Sequence, residues 1–213
     1  MKTIAFIPIK LNNERLPGKN IKLLHNKPLI SYILETALKV RSFDSVYVWC
    51  SNEGICDYLP QGVKLLKRAE YLDLSNTSIT AVISEFVQAV PADVYALMHA
   101  TAPYTSAESV EKGINAIVSG EYDCSFSVTK HNEFLWQDGK PNYDTRDIPR
   151  TQDLDPFFIE TTGFYIFKRE LITENGSRIG NKPMLVEVSK LEAIDINEQV
   201  DFELAQALPP PEL

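Results

Sequence analysis

The feature that most constrains this chain is an alternation of short apolar runs with segments whose apolar residues recur at helical spacing. Thr3–Ile9 is a continuous apolar run, as expected of a strand covered on both faces. A polar stretch, Lys10–Asn20, follows. Pro28 is placed to open a helix, with Leu29, Ile30, Ile33, Leu34, Ala37 and Leu38 as its stripe. Ser45–Cys50 and Val63–Lys67 read as strands. Ser78–Ala89 reads as a helix with Ile79, Val82, Ile83, Phe86 and Val87 on one face, and Val94–His99 as another buried strand. Thr105–Glu108 has the spacing of a capping box, ahead of a helix stripe at Val110, Ile114 and Ile117. Such alternation builds βαβ units, which predicts an α/β, Rossmann-like, mostly parallel sheet with helices on both faces. Ligands of such sheets bind beyond the carboxyl ends of the strands, so the loops after Ile9, Lys67 and His99 are the places to look.

The pattern changes after Gly120. Cys124–Thr129 reads as a strand, Glu133–Tyr143 as a hairpin or turn around Asp138-Gly139, and Phe157–Lys168 as strongly β. Residues 124–168 are therefore expected to leave the sheet as a β-rich excursion. Its aromatics, Phe126, Phe134, Trp136, Phe157 and Phe158, would form a two-fold interface, making the protein a homodimer. The chain closes with Met184–Val188, Leu191–Ile196, a short helix Glu198–Leu208 and the stiff Pro209–Pro211. No repeat or linker divides it, and its 213 residues suit a single domain, 1–213.

Lys and Arg total 21 against 29 Asp and Glu, a net charge of −8, which argues against a partner bound through nucleic-acid phosphates. A few local cations can still reverse the field in one cleft. No apolar run approaches the roughly 20 residues of a membrane span. Ile4–Ile9 is too short for a signal-peptide core. The three cysteines, Cys50, Cys56 and Cys124, lack metal-site spacing and read as free, buried thiols of a cytoplasmic protein.

Three constellations could carry chemistry. The first loop brings Lys10, Arg15 and Lys19 together around Pro17-Gly18, the ingredients of a phosphate cradle or of a solvated charged loop. Its spacing is neither that of a Walker A loop nor that of a dinucleotide-binding turn. Asp195 and Asn197, two apart at strand spacing, could converge on a cation such as Mg²⁺; otherwise Asn197 caps the helix that follows. Arg150-Thr-Gln-Asp153 with Glu160-Thr-Thr-Gly163 could hold the carboxylate and hydroxyls of a sugar acid, or make bonds between subunits. His99, at a strand end, could touch a ligand or be structural.

In this order the segments resemble the N-acylneuraminate cytidylyltransferases. Lys19-Asn20 match the family's opening motif, and Lys27-Pro-Leu-Ile30 matches its helix start. Leu97-Met-His-Ala-Thr-Ala-Pro103 resembles L-L-Q-P-T-S-P, and Arg150-Thr-Gln-Asp-Leu154 resembles R-R-Q-D-L. Glu160-Thr-Thr-Gly-Phe-Tyr-Ile166 resembles E-N-G-A-F-Y-I, and Ile194-Asp-Ile-Asn197 with Asp201 and Ala205 resembles I-D-I-D-x-x-x-D-x-x-x-A. The resemblance covers nearly the whole chain.

It implies a fold of the nucleotide-diphospho-sugar transferase type and transfer of CMP from CTP to a sialic-acid-like sugar, with Mg²⁺. Lys10, Asn13, Arg15, Lys19, Asn20, Arg68 and Ser78 would hold the nucleotide, and His99, Thr101, Arg150, Gln152 and Glu160 the sugar acid. Asp195 and Asn197 would hold the metal, and Lys19 and Asp195 would be catalytic. Four positions depart from the family pattern. Lys10 replaces an Arg, Asn13-Glu14 a Ser-Lys, His99 a Gln, and Asn197 a second metal-binding Asp. They leave room for a non-catalytic nucleotide-sugar-binding relative. The Kdo cytidylyltransferases share the Arg-Leu-Pro-Gly-Lys run but carry an Asp after the strand that ends here in His99.

Overall fold

Strand β1, Thr3–Ile9, lies inside a seven-stranded sheet, which is why nearly all of its residues are buried. The structure, a computed structural model, describes residues 1–211. After β1 come a two-residue hairpin of β2 (Leu23–Leu24) and β3 (Lys27–Pro28), helix α1 (Leu29–Lys39), β4 (Ser45–Cys50) and β5 (Val63–Lys67). Helix α2 (Ile79–Ala89), β6 (Val94–Met98), α3 (Ala107–Val118) and β7 (Cys124–His131) follow. A small hairpin, β8 (Trp136–Gln137) and β9 (Lys140–Pro141), precedes β10 (Phe157–Lys168). Helix α4 (Arg169–Asn175), β11 (Pro183–Glu187) and α5 (Gln199–Ala207) complete the chain.

The sheet order is β11-β7-β10-β6-β1-β4-β5, and only β10 runs antiparallel to its neighbours. Helices α1 and α3 cover one face, where Ile33, Leu34, Val110 and Ile114 pack on Ile7, Val48 and Met98. Helices α2 and α4 cover the other, where Phe86 stacks on Phe6 with ring centroids 4.2 Å apart. The predicted α/β architecture is the observed one. No helix among the described residues is long and apolar enough to cross a membrane.

Several local expectations change. The cap of α3 is Ser106, whose side chain accepts from the Ser109 amide at 3.1 Å, and not Thr105. The Thr105 amide is used in a turn onto Ala102. The acid of this cap is Glu192, from a distant loop, which accepts from the Ser106 amide and the Ser109 hydroxyl. Helix α5 is capped by Glu198, reciprocally with Asp201, so Asn197 is not its cap. Leu191–Ile196 forms no strand.

The β-rich excursion is also narrower than 124–168. β7 and the second half of β10 belong to the main sheet, and Phe126 is buried there. Pairing shifts at a bulge between Glu160 and Tyr165, beyond which β7 and β10 continue as an arm carrying residues 132–156. The β8–β9 turn has the positive φ values, 51° at Asp138 and 73° at Gly139, that a tight hairpin requires. All three cysteines are free, but Cys56 is exposed rather than buried.

Helix α3 approaches the sheet closely at Gly113. A Cβ there would lie 2.8 Å from Ser125 Oγ and 2.9 Å from Ile166 Cδ1. Overpacking of about 1–3 kcal/mol outweighs the roughly 1 kcal/mol of helix propensity that alanine contributes. Gly113→Ala is therefore expected to lower Tm by a few degrees in a thermal melt, and an unchanged or raised Tm contradicts this packing.

Candidate active site

The loop after β1 is held by an apolar anchor. Leu16 is buried with Leu24, Leu29, Tyr32, Ile196 and Phe202, which joins the first loop to the end of the chain. Pro17-Gly18 then turns the backbone, with Gly18 at φ 66°, into a short 3-10 turn, Lys19–Ile21. Glycine enters this left-handed region without steric cost. The turn buries Lys19 and Asn20. The Asn20 side-chain Nδ2 donates to the Lys10 carbonyl at 2.9 Å, and Lys19 Nζ donates to the Ile196 carbonyl at 2.8 Å. Burial lowers the Lys19 pKa, and the Asp195 carboxylate opposes that shift.

A cleft of about 270 Å³ opens beyond the carboxyl ends of β1, β5 and β6. Lys10, Asn13, Lys19 and Asn20 line it from the first loop, Arg68 from the loop after β5, and His99 and Thr101 from the loop after β6. Seven predicted site residues thus meet where a parallel sheet binds its ligands. A larger surface cleft of about 670 Å³ lies beside it. That cleft holds none of these residues, and its Lys67 is already paired with Glu53 at 2.9 Å.

Arg68 is buried and paired with Asp73 through Nε at 3.0 Å and Nη2 at 2.7 Å. Asp73 also accepts from Ser51 Oγ at 2.5 Å, and its carbonyl accepts from Lys10 Nζ at 3.3 Å. Asp73 therefore ties the cation of one loop to that of another, and nothing in the sequence marked it. Ser78 does not line the cleft, although Thr77 and Ile79 do. Its hydroxyl caps α2, accepting from the Ala81 amide at 3.2 Å.

Asp195 and Asn197 meet through a loop rather than a strand. Asn197 Nδ2 donates to Asp195 Oδ2 at 2.5 Å, and Asn197 Oδ1 accepts from Arg15 Nη2 at 3.0 Å. Arg15 thus braces Asn197 from outside the cleft. The second oxygen, Asp195 Oδ1, is buried without a partner. An orphaned carboxylate oxygen near Lys19 is a fit for a cation shared with a phosphate. Among the described residues no group of three or more His, Cys, Asp and Glu could hold a metal. Mg²⁺ tolerates this, because it keeps waters and substrate phosphates in its shell.

On the other side of His99 lies a second group. His99 Nε2 is enclosed without a partner, and its pKa is pushed down to about 4 by burial and by the Arg178 charge. The ring is therefore neutral at pH 7. It lies 6.3 Å, centroid to centroid, from Tyr165, whose hydroxyl donates to Glu160 at 2.9 Å. The Arg178 guanidinium stacks on the Tyr165 ring at 3.5 Å. Sequence reasoning missed Arg178, although a basic residue inside Gly176-Ser-Arg-Ile-Gly180 was a usable signal.

Arg150 and Gln152 are not brought to the cleft. They lie on an exposed 3-10 turn of the arm, where Arg150 is paired with Asp153 at 2.8 Å. Glu160, also exposed, belongs to the Tyr165 group rather than to Arg150.

The fold and cleft define a class of α/β protein with a cation-lined site at the sheet's carboxyl edge. The chain belongs to the cytidylyltransferase family, whose model matches residues 4–174. It is 29% identical over 213 residues to N-acylneuraminate cytidylyltransferase A of Danio rerio, covering 95% of this chain and 49% of that protein. It is 26% identical over 226 residues to the CMP-N,N'-diacetyllegionaminic acid synthase of Legionella pneumophila, covering 98% of this chain and 96% of that protein. The chain spans about half the length of the fish relatives it matches. Its fold matches that of CMP:2-keto-3-deoxy-manno-octonic acid synthetase, solved with CTP, at a TM-score of 0.72. Sequence identity there is 16%, over 97% of this chain and 98% of that one.

His99 gives the site a pH signature. Folded His99 takes up a proton near pH 4, whereas the exposed residue does so near 6.5. Between these values the unfolded chain holds more protons, so stability rises with pH across that window and falls on acidification. His99→Gln removes this contribution. Its Tm is expected to fall less than that of the wild type between pH 7 and pH 5. Parallel Tm curves for the two proteins refute the assignment.

Proposed function

We propose that this protein transfers CMP from CTP to the anomeric hydroxyl of a sialic-acid-like 2-keto sugar acid, releasing pyrophosphate. The observation that carries this reading is the convergence of Lys10, Asn13, Lys19, Asn20, Arg68, His99 and Thr101 on one cleft. The curated relatives, named for the same transfer onto nonulosonic acids, support it.

The acceptor oxygen attacks the α-phosphorus, and the bond to the bridging oxygen of the β-phosphate breaks. The proton of the anomeric hydroxyl is lost to solvent, and the electron pair of the broken P–O bond leaves on pyrophosphate. Little covalent work falls to the protein, so positioning and charge neutralisation carry the rate. Lys19, buried and fixed, is placed to meet the phosphates, with Lys10 and Arg68 at the cleft wall. Asp195, through its unpartnered Oδ1, would hold Mg²⁺, which would offset charge on the phosphates; the amide oxygen of Asn197 is turned to Arg15 and does not join it, contrary to the expectation from sequence.

Asn197 favours a second reading, a nucleotide-sugar-binding protein without turnover, since it replaces one carboxylate at that position. Pyrophosphate release from CTP with a panel of sugar acids, including N-acetylneuraminic acid and 3-deoxy-manno-octulosonic acid, separates the two. Turnover with any of them supports the transferase. CTP binding without turnover across the panel supports the binding protein. Lys19→Ala is expected to raise the CTP KM and lower kcat, together by ten- to hundredfold in kcat/KM, from loss of a charge-assisted contact of about 1.5–3 kcal/mol. Wild-type kinetics in this variant overturn the phosphate role of Lys19.

The proposal includes a homodimer in the cytoplasm, a compartment that suits three free thiols. Phe134, Leu135, Trp136, Ile148, Phe158 and Ile159 of the arm are exposed, an apolar surface of the kind that subunits cover. Light scattering at micromolar concentration is expected to give twice the chain mass, and Trp136→Asp with Phe158→Asp to give a monomer. A monomeric wild type overturns the dimer.

A further inference from the structure

We infer that Arg178 is the residue that recognises the carboxylate of the acceptor sugar, in a subsite formed with His99 and Tyr165. The inference rests on the transferase reading above and assigns its second substrate to the far side of His99.

The first observation is an unspent charge. Among the described residues Arg178 makes no salt bridge and its guanidinium makes no hydrogen bond, unlike Arg15, Arg68, Arg146 and Arg150. Arg150, the residue first expected to hold the carboxylate, has its fork committed to Asp153. A half-buried guanidinium centred 3.5 Å over an aromatic ring, with no hydrogen bond of its own, keeps its donors free to accept a carboxylate through two parallel bonds.

The second observation is that the residue is held in place. The loop of Arg178 begins at Gly176, which ends α4 in the left-handed conformation at φ 63°. Ser177 then closes the turn, its hydroxyl accepting from the Ile179 amide at 3.1 Å. Asp123 accepts from the Asn181 amide at 2.8 Å and the Lys182 amide at 3.0 Å. Gly180 sits so close to that carboxylate that any Cβ would come within 2.4 Å of Asp123 Oδ2. The loop is pinned at both ends, and Tyr165, itself buried, gives the guanidinium a fixed platform. A binding group positioned before the ligand arrives loses little entropy on binding.

The third observation is the company it keeps. His99 Nε2 and Asp195 Oδ1 are both enclosed and unpartnered, and each calls for a ligand group. The Tyr165 ring lies 6.3 Å from that of His99 and 3.5 Å from the Arg178 guanidinium, and the charges of Arg178 and Asp195 both shift the pKa values of His99 and Tyr165. His99 lines the nucleotide cleft and Arg178 does not, and Tyr165 links the two. An acceptor with its acid group on Arg178 and a hydroxyl toward His99 would lie next to the phosphates.

The test is pyrophosphate release with N-acetylneuraminic acid and with its methyl ester, on the wild type, Arg178→Lys and Arg178→Met. Thermal melts confirm that each variant is folded. The wild type is expected to prefer the free acid at least tenfold in kcat/KM. Arg178→Met is expected to raise the acceptor KM for the acid ten- to hundredfold, to lose the preference over the ester, and to keep the CTP KM within twofold. Arg178→Lys, keeping charge without the fork, is expected to fall between them. If the wild type turns over sugar acids but Arg178→Met keeps the same preference for the acid, the Arg178 assignment is wrong while the transferase reading stands. If the wild type binds CTP and turns over no sugar acid, the transferase reading fails and the subsite falls with it.

Discussion

The site depends on how Lys19 is buried. Its ammonium lies against the carbonyl of Ile196, 177 residues away in sequence, and loses most of its water there. Removing an ammonium from water is costly unless hydrogen bonds and an opposite charge compensate it. The Ile196 carbonyl supplies a bond, and Asp195, which raises the pKa that burial lowers, supplies the charge. Neither would be present without the small apolar cluster of Leu16, Ile196 and Phe202 that joins the first loop to the last. The backbone bond from Ile196 N to Thr101 O at 2.8 Å adds the third loop. Packing at the edge of the sheet thus brings together the charges at its centre.

Charges around the cleft alternate in a connected chain. Lys19 faces Asp195, which is bonded to Asn197, which in turn is bonded to Arg15. On the opposite wall Arg68 is matched by Asp73, whose carbonyl also holds Lys10. In a chain of net charge −8, these local pairs let several cations face one small volume. Each acid orients a cation without filling all of its donors, so the arrangement remains ready for an anion. The pairs that matter are buried or partly buried, where water and salt screen them least.

The sheet and its helices were legible in the sequence because burial writes itself as period. Thr3–Ile9 and Val94–Met98 are covered on both faces and read as unbroken apolar runs, and the stripes of α1 and α2 recur at helical spacing. The nucleotide-side residues were legible because they cluster within one loop and at strand ends. What escaped was long-range. Asp73, Glu192 and Arg178 act on partners through folded loops, and no local pattern records such contacts. Asn197 has the residue type of a helix cap, yet Glu198 and Asp201 form a reciprocal box that fills the same need one residue later. The 124–168 segment reads as an excursion because the alternation of strand and helix patterns breaks off after Gly120. Its bulge at residues 160–165 lets one strand serve both the main sheet and the arm, a change of direction that composition alone does not show.

The bulge has a further consequence for the site. It falls where β10 passes His99, and the Gly163 carbonyl accepts from the His99 amide at 3.4 Å. A side chain at Gly163 would meet Thr105 Oγ1 at 2.9 Å, so glycine is what allows β10 to approach the turn after β6. That approach sets Tyr165 beside His99 and gives Arg178 its platform. The antiparallel strand therefore does more than extend the sheet. It builds the second wall of a site whose first wall comes from the parallel βαβ units. On the proposed reading, nucleotide and acceptor are held by different parts of the fold. The nucleotide side uses loops at the ends of β1 and β5, fixed by the chain's own tertiary packing. The acceptor side uses β10 and the loop after α4, elements whose side chains can vary without disturbing Lys19.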